Sequence, residues 1–180
     1  DDNCLAERAR HVLADEARTG ELTLTFVDPD EIAALNDEHM GVTGPTDVLS
    51  FPLDADLCAE DVATAVGPVL LGDVVVCPAV AAAAAPTHAG TLDDELALLV
   101  VHGILHVLGH DHAEPDETDR MRAAELTHLV AHQSEALRDH GQDTVDHPLD
   151  RTLDDGERGA HLVRQLSQEV AAKQVHLFAP

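Results

Sequence analysis

TLDDELALLVVHGILHVLGHDH, residues 91–112, is the most informative stretch of this chain. Thr91 is a good N-cap, and Asp93, Asp94 and Glu95 follow in the first turn, where the helix dipole favours acids. Leu92 to Leu108 is almost continuously apolar, the pattern of a helix buried on most of its sides. Gly109 is placed to end that helix in a left-handed cap. His102 and His106 are four residues apart and therefore stack on one face. The turn at Gly109 lets the chain fold back so that His112 comes round as a third imidazole. Buried imidazoles without partners cost free energy, and one metal ion satisfies them together. The alternative is two core histidines hydrogen-bonded to backbone, with two more exposed.

Working outward, VLLGDVVVC (69–77) is the most β-branched segment and reads as a central strand ended by Pro78. ELTLTFVD (21–28) alternates polar and apolar residues, and DVLSF (47–51) gives a further strand closed by Pro52. Helices are expected over Asp2–Thr19, Asp30–Glu38, Pro78–Ala85 and Glu114–Leu137, the last with Met121, Leu126 and Leu129 on one face. His88 and Gly90 fall in the connection before Thr91, and Asp54–Pro68 reads as an acidic surface excursion. After Arg138 the composition turns to Asp, Gly, Pro, His and Arg without period. The expected organisation is one domain over 1–138, then 139–180 as a flexible acidic linker and a short amphipathic helix at His161–Val175. Three strands and about five segregated helices make an α+β fold: a small mixed sheet packed with helices, the three-histidine site at the end of the buried one.

Composition narrows the function. The 180 residues carry 35 acids against 10 bases, a net charge of −25, and Lys173 is the one lysine. Such a surface repels polyanions at long range, which excludes a sequence-blind nucleic-acid coat. Three phenylalanines with no Trp or Tyr leave too few rings for a base-stacking platform. Cys4, Cys58 and Cys77 are odd in number and widely spaced, as in a reducing compartment rather than a disulfide framework. No apolar run approaches the roughly 20 residues that span a bilayer, so a soluble, cytoplasmic protein is expected. The chain opens at Asp1 without a methionine, so further sequence is expected before it.

The spacing around His102, His106, Gly109 and His112 copies the zinc-protease pattern H-E-x-x-H-x-x-G-x-x-H, except that Gly103 replaces the general-base glutamate. Peptide hydrolysis through that carboxylate has lost its base. Three neutral imidazoles leave the full charge of a divalent ion in place, which with an open fourth position suits a phosphodiester.

HGILHVLGHDH (102–112) resembles the H-G-x-L-H-L-x-G-[YFH]-D-H signature of the YbeY family, bacterial metal-dependent endoribonucleases of ribosomal RNA maturation. FVDPDEIAALN (26–36), GPTDVLSFP (44–52), LGDVVVCP (71–78) and DDELALLVVHG (93–103) are similar to its other blocks, in the same order, over roughly Leu5–Leu137. The resemblance implies one zinc ion per chain on His102, His106 and His112, with water activated by the metal as the reactive group. It also implies single-strand RNA cleavage, maturation of the 16S rRNA 3′ end and ribosome quality control. The partners implied are the small ribosomal subunit and a ribosome-associated GTPase. Two features depart from the family pattern. Its loop arginine, linked to phosphate contact, is replaced within His39-Met40-Gly41, so that His39, Arg120 or Arg122 would have to substitute. Its first strand, which usually precedes the opening helix, is either absent or part of the sequence expected before Asp1.

Other residues have two readings each. Asp111 either orients an imidazole at the catalytic site or stabilises a turn. His110 either fills the variable aromatic slot or competes as a ligand. Thr46 and Asp47 lie beside the expected cleft or cap a loop, Ser50 meets substrate or is an ordinary strand serine, and Asp73 anchors a loop or is structural. Glu125, His128 and His132 share a helical spacing that can bind a metal at a surface but is better explained by a solvated face. A non-catalytic, zinc-containing ribosome-assembly factor is the main alternative to a nuclease, and another metallohydrolase is a lesser one. The acid excess is most simply a solvated surface; adaptation to high internal salt is the alternative. Under that alternative the melting temperature rises steeply between low and molar KCl, and an unchanged value in a thermal scan excludes it.

Overall fold

The computed structural model describes residues 2–54, 69–110, 114–139 and 173–179. Over these the order is α1 (Asp2–Asp15), β1 (Gly20–Phe26), α2 (Pro29–Met40), β2 (Val48–Pro52), β3 (Leu70–Val76), α3 (Pro78–Ala84), a 3-10 turn (Ala85–Thr87), α4 (Leu92–Val107), α5 (Pro115–Asp139) and β4 (Lys173–Ala179). The sheet order is β2-β3-β1-β4. β1 and β3 run parallel, while β2 on β3 and β4 on β1 are antiparallel, so the sheet is mixed and the fold α+β as expected.

One face of the sheet holds the main core. Leu22, Leu24 and Phe26 of β1, Val74 and Val76 of β3 and Leu177 of β4 meet Leu5, Ala9, Val12 and Leu13 of α1. Leu96, Val100, Val101, Ile104 and Leu105 of α4 and Met121 of α5 complete it. The continuous apolar run of α4 is thus explained: the sheet, α1 and α5 all pack on it. A smaller core on the opposite face joins Leu49, Val75, Val27 and Cys77 to Ile32 of α2.

Local chemistry sets the ends of the elements. Thr91 Oγ1 accepts from the Asp94 amide at 3.1 Å and caps α4. At the other end the His110 amide donates to the Leu105 carbonyl (2.9 Å) and the Gly109 amide to His106 (3.0 Å). Gly109 sits at φ +90, so this is the glycine-dependent left-handed cap expected there. α1 is shorter than its periodicity predicts. It stops at Asp15, and Ala17 turns to φ 51 with the Arg18 amide reaching back to Leu13 at 2.9 Å.

The C-terminal segment corrects the sequence reading. Among the described residues the strands number four, and Lys173, Gln174 and Val175, expected to end a helix, are extended in β4. β4 pairs with all seven residues of β1, from Gly20↔Ala179 to Phe26↔Lys173, and His176 Nδ1 meets Glu21 Oε1 at 2.7 Å. The expected linker and the rest of that helix lie outside the described residues. Because Leu177 is fully buried, Leu177→Ala should cost about 2–5 kcal/mol in a denaturant titration. Loss of under a few tenths would show that β4 does not dock.

Candidate functional site

The site is built on the contact between α4 and the sheet. A Cβ at Gly103 would lie 2.6 Å from Val74 Cγ1 and 3.3 Å from Val48 Cγ2, so the helix can come this close only with glycine there. Ser50 Oγ donates to the Gly103 carbonyl at 3.0 Å. That bond commits the hydroxyl to holding the helix and explains Ser50 without a substrate. The position where zinc proteases carry glutamate therefore faces the sheet in this fold. Residues one step along a helix are rotated by about 100°, so the neighbouring His102 belongs to another face.

His102 and His106 pack edge to face, ring centroids 4.6 Å apart and planes at 83°. Both are half-buried. His102 Nδ1 lies 2.8 Å from Glu125 Oε1 on α5. With Nδ1–H donated to that carboxylate, the lone pair of the neutral ring is on Nε2, the atom a cation would take, and the ring is held in orientation. These donors fit a divalent ion: two imidazoles one turn apart, one of them oriented by a carboxylate. His112 and Asp111 lie outside the described residues, so the structure describes two of the three expected ligands.

His102 and Glu125 open on a cleft of about 420 Å³, within the ordinary range of ligand sites. Val48, Leu98, Leu99 and Met121 form its apolar wall, and His88, Arg122, Asp47 and Thr118 bring polar groups to it. Of the three groups expected to replace the loop arginine, Arg122 lines this cleft. His39 instead packs edge-on against Phe51 at 5.0 Å, and Arg120 is exposed on α5. Asp47 caps the start of β2, its Oδ1 accepting from the Val48 amide (2.9 Å) and Thr46 Oγ1 (3.2 Å). It is both the loop cap and a cleft residue. Asp73 lies in β3 between Thr23 and Phe51, in regular pairing.

At the N-terminal end of α4, Glu95 is 1% exposed. Its carboxylate accepts from His88 Nδ1 at 2.9 and 3.0 Å and from the Ala89 amide at 3.1 Å. The hydrogen bond and charge of Glu95 hold the His88 imidazole above the usual histidine range, with Asp47 and Glu125 acting in the same direction. A second cluster joins α1 to α5. His128, buried, has Nε2 3.0 Å from Glu16 Oε1, and His110 Nε2 lies 3.7 Å from Glu16 Oε2.

The reading of Glu125 and His128 as a solvated face is therefore overturned, since one holds His102 and the other sits in the α1–α5 junction; the His132 side chain lies outside the described residues. Glu95 and His88 were not singled out as site residues. A signal was present: Glu95, Leu99, His102 and His106 fall at i, i+4, i+7 and i+11, one stripe of the helix.

The family model for Endoribonuclease YbeY matches residues 2–133. Proteins named Endoribonuclease YbeY are similar to this chain. That of Salinispora tropica is 45% identical, over 72% of this chain and 87% of its own length. That of Mycobacterium tuberculosis (strain H37Ra) is 42% identical, over 81% and 85%. The solution structure of TM1509 from Thermotoga maritima is similar with a TM-score of 0.53 and 27% identity, over 81% of this chain and 89% of that one.

The packing at Gly103 makes a direct prediction. Gly103→Ala should cost about 1–3 kcal/mol by overpacking against Val74. Gly103→Glu should unfold the protein rather than add a general base. A folded Gly103→Glu variant in denaturant titration, with new peptidase activity, would refute this account.

Proposed function

Since the chain belongs to the endoribonuclease YbeY family, we propose that it is a zinc-dependent, single-strand-specific endoribonuclease, acting in the cytoplasm on 16S rRNA 3′-end maturation and in ribosome quality control. Its partners in this reading are single-stranded rRNA, the small ribosomal subunit and a ribosome-associated GTPase. The observation that carries the reading is the His102–Glu125 hydrogen bond at the mouth of the cleft, in a chain whose family match spans residues 2–133. Among the described residues no helix is long and apolar enough to cross a membrane.

His102, His106 and His112 would hold the zinc ion. When bound, it supplies Lewis acidity toward the phosphoryl group and makes water more acidic. Glu125 fixes the tautomer and angle of the His102 ring. Arg122, on the helical stripe of Thr118 and Glu125, brings a permanent positive charge to the cleft, where a phosphodiester can be held against the repulsion of the surrounding acids. Gly103 supplies no carboxylate, so the chain's acid–base groups have to come from elsewhere in the cleft.

The test is a zinc titration of metal-free protein, with cleavage of a single-stranded oligoribonucleotide as readout. Activity should appear with one equivalent of zinc and vanish in His106→Ala. Glu125→Gln should weaken zinc binding about 10–100-fold by competition with a chelator. Stoichiometric zinc without cleavage, alone or with ribosomal subunits, would leave the assembly-factor reading in its place.

A further inference from the structure

The cleft contains an acid–base pair that the metal reading does not use. Glu95 is buried to 1% exposure in the first turn of α4, yet its principal partner is an imidazole whose side chain is 61% exposed. A buried carboxylate needs hydrogen bonds, and backbone amides alone would serve. Here two short contacts to His88 Nδ1 and one to the Ala89 amide bind the carboxylate to a ring on the wall of the cleft shared with His102 and Arg122. A carboxylate that holds one nitrogen of an imidazole leaves the other to exchange protons with a substrate, in a fixed tautomer and orientation.

We propose that His88 is the general acid of the endoribonuclease reaction, protonating the leaving ribose oxygen from Nε2, and that Glu95 is its positioning residue. The inference rests on the endoribonuclease reading above. In this step the oxygen of a water molecule forms the new bond to phosphorus and releases a proton to solvent. The bond from phosphorus to the leaving ribose oxygen breaks, and that oxygen keeps the electron pair and takes the proton from His88. The neutral imidazole regains a proton from solvent. The charged groups around the ring suit this cycle. Glu95 from α4, Asp47 from the start of β2 and Glu125 from α5 all favour the imidazolium, while His102 and Arg122 are the other basic groups of the cleft. Since the pKa is raised above the ordinary value, the acid form persists to higher pH than in a free histidine, and the rate should fall as pH rises through that shifted value.

The experiment uses the zinc-loaded full chain and two substrates. One is a single-stranded oligoribonucleotide; the other is bis(p-nitrophenyl) phosphate, whose nitrophenolate leaves without protonation. His88→Gln, at an exposed position, should lose about 100-fold or more in kcat on RNA, keep nearly full rate on the aryl diester, and lose the alkaline limb of the wild-type pH profile. Glu95→Gln should lower the His88 pKa read by NMR, a measurement independent of turnover. Equal losses on both substrates, an unchanged alkaline limb, or an unaffected rate on RNA would each overturn the assignment while leaving the nuclease intact. A wild-type protein that cuts no RNA would overturn the endoribonuclease reading, and this one with it.

Discussion

The backbone of α4 rests on the sheet at Gly103, and the surrounding groups are arranged by that contact. A side chain at that point would collide with Val74, so the helix axis lies closer to β2 and β3 than ordinary side chains allow. Ser50 fastens it there through the Gly103 carbonyl. With the helix fixed in rotation, His102 turns toward α5 and Glu125, and Leu98, Leu99 and His102 face the cleft. The same geometry explains why a histidine spacing shared with proteases does not make one here: the position beside the first histidine has been spent on packing.

Much of this was legible in the chain itself. Thr91, Gly109 and the apolar run between them define α4 with its caps, because those signals are local. The pairing of His102 with Glu125 was not legible. It depends on how α5 docks on α4, and spacing along one helix cannot distinguish a solvated stripe from a half-buried one. Glu95 was hidden for a related reason. Three acids in a first turn all satisfy the helix dipole, and only tertiary packing separates Glu95, buried on His88, from the exposed Asp93 and Asp94. β4 was missed because its partner is remote: KQVHLFA alternates inward at Val175 and Leu177 over only seven residues, too brief a signal beside an aperiodic tail.

A protein of net charge −25 that handles RNA has to hide negative charge where the substrate binds. The carboxylates around the cleft are already engaged. Glu125 is tied to His102, Glu95 to His88, and Asp47 to the Val48 amide. Each charge is spread into a donor before any phosphate arrives, and in two cases that donor is an imidazole. The acids thereby orient the imidazoles of the cleft, and Glu95 holds that of His88 in its charged form to higher pH than a free histidine.

The closure of the sheet by β4 also has a consequence for biosynthesis. Glu21 and His176, which touch across β1 and β4, are 155 residues apart in sequence. Among the described strands, β3 follows β1 early in the chain, whereas β4, the other partner of β1, is made far later. The edge of β1 then remains a template for any extended strand nearby. Contacts of such long range form late and slowly. Until β4 docks, that edge of β1 lacks the partner the described residues give it, and a chaperone or the ribosome surface that covered it would protect it during that interval.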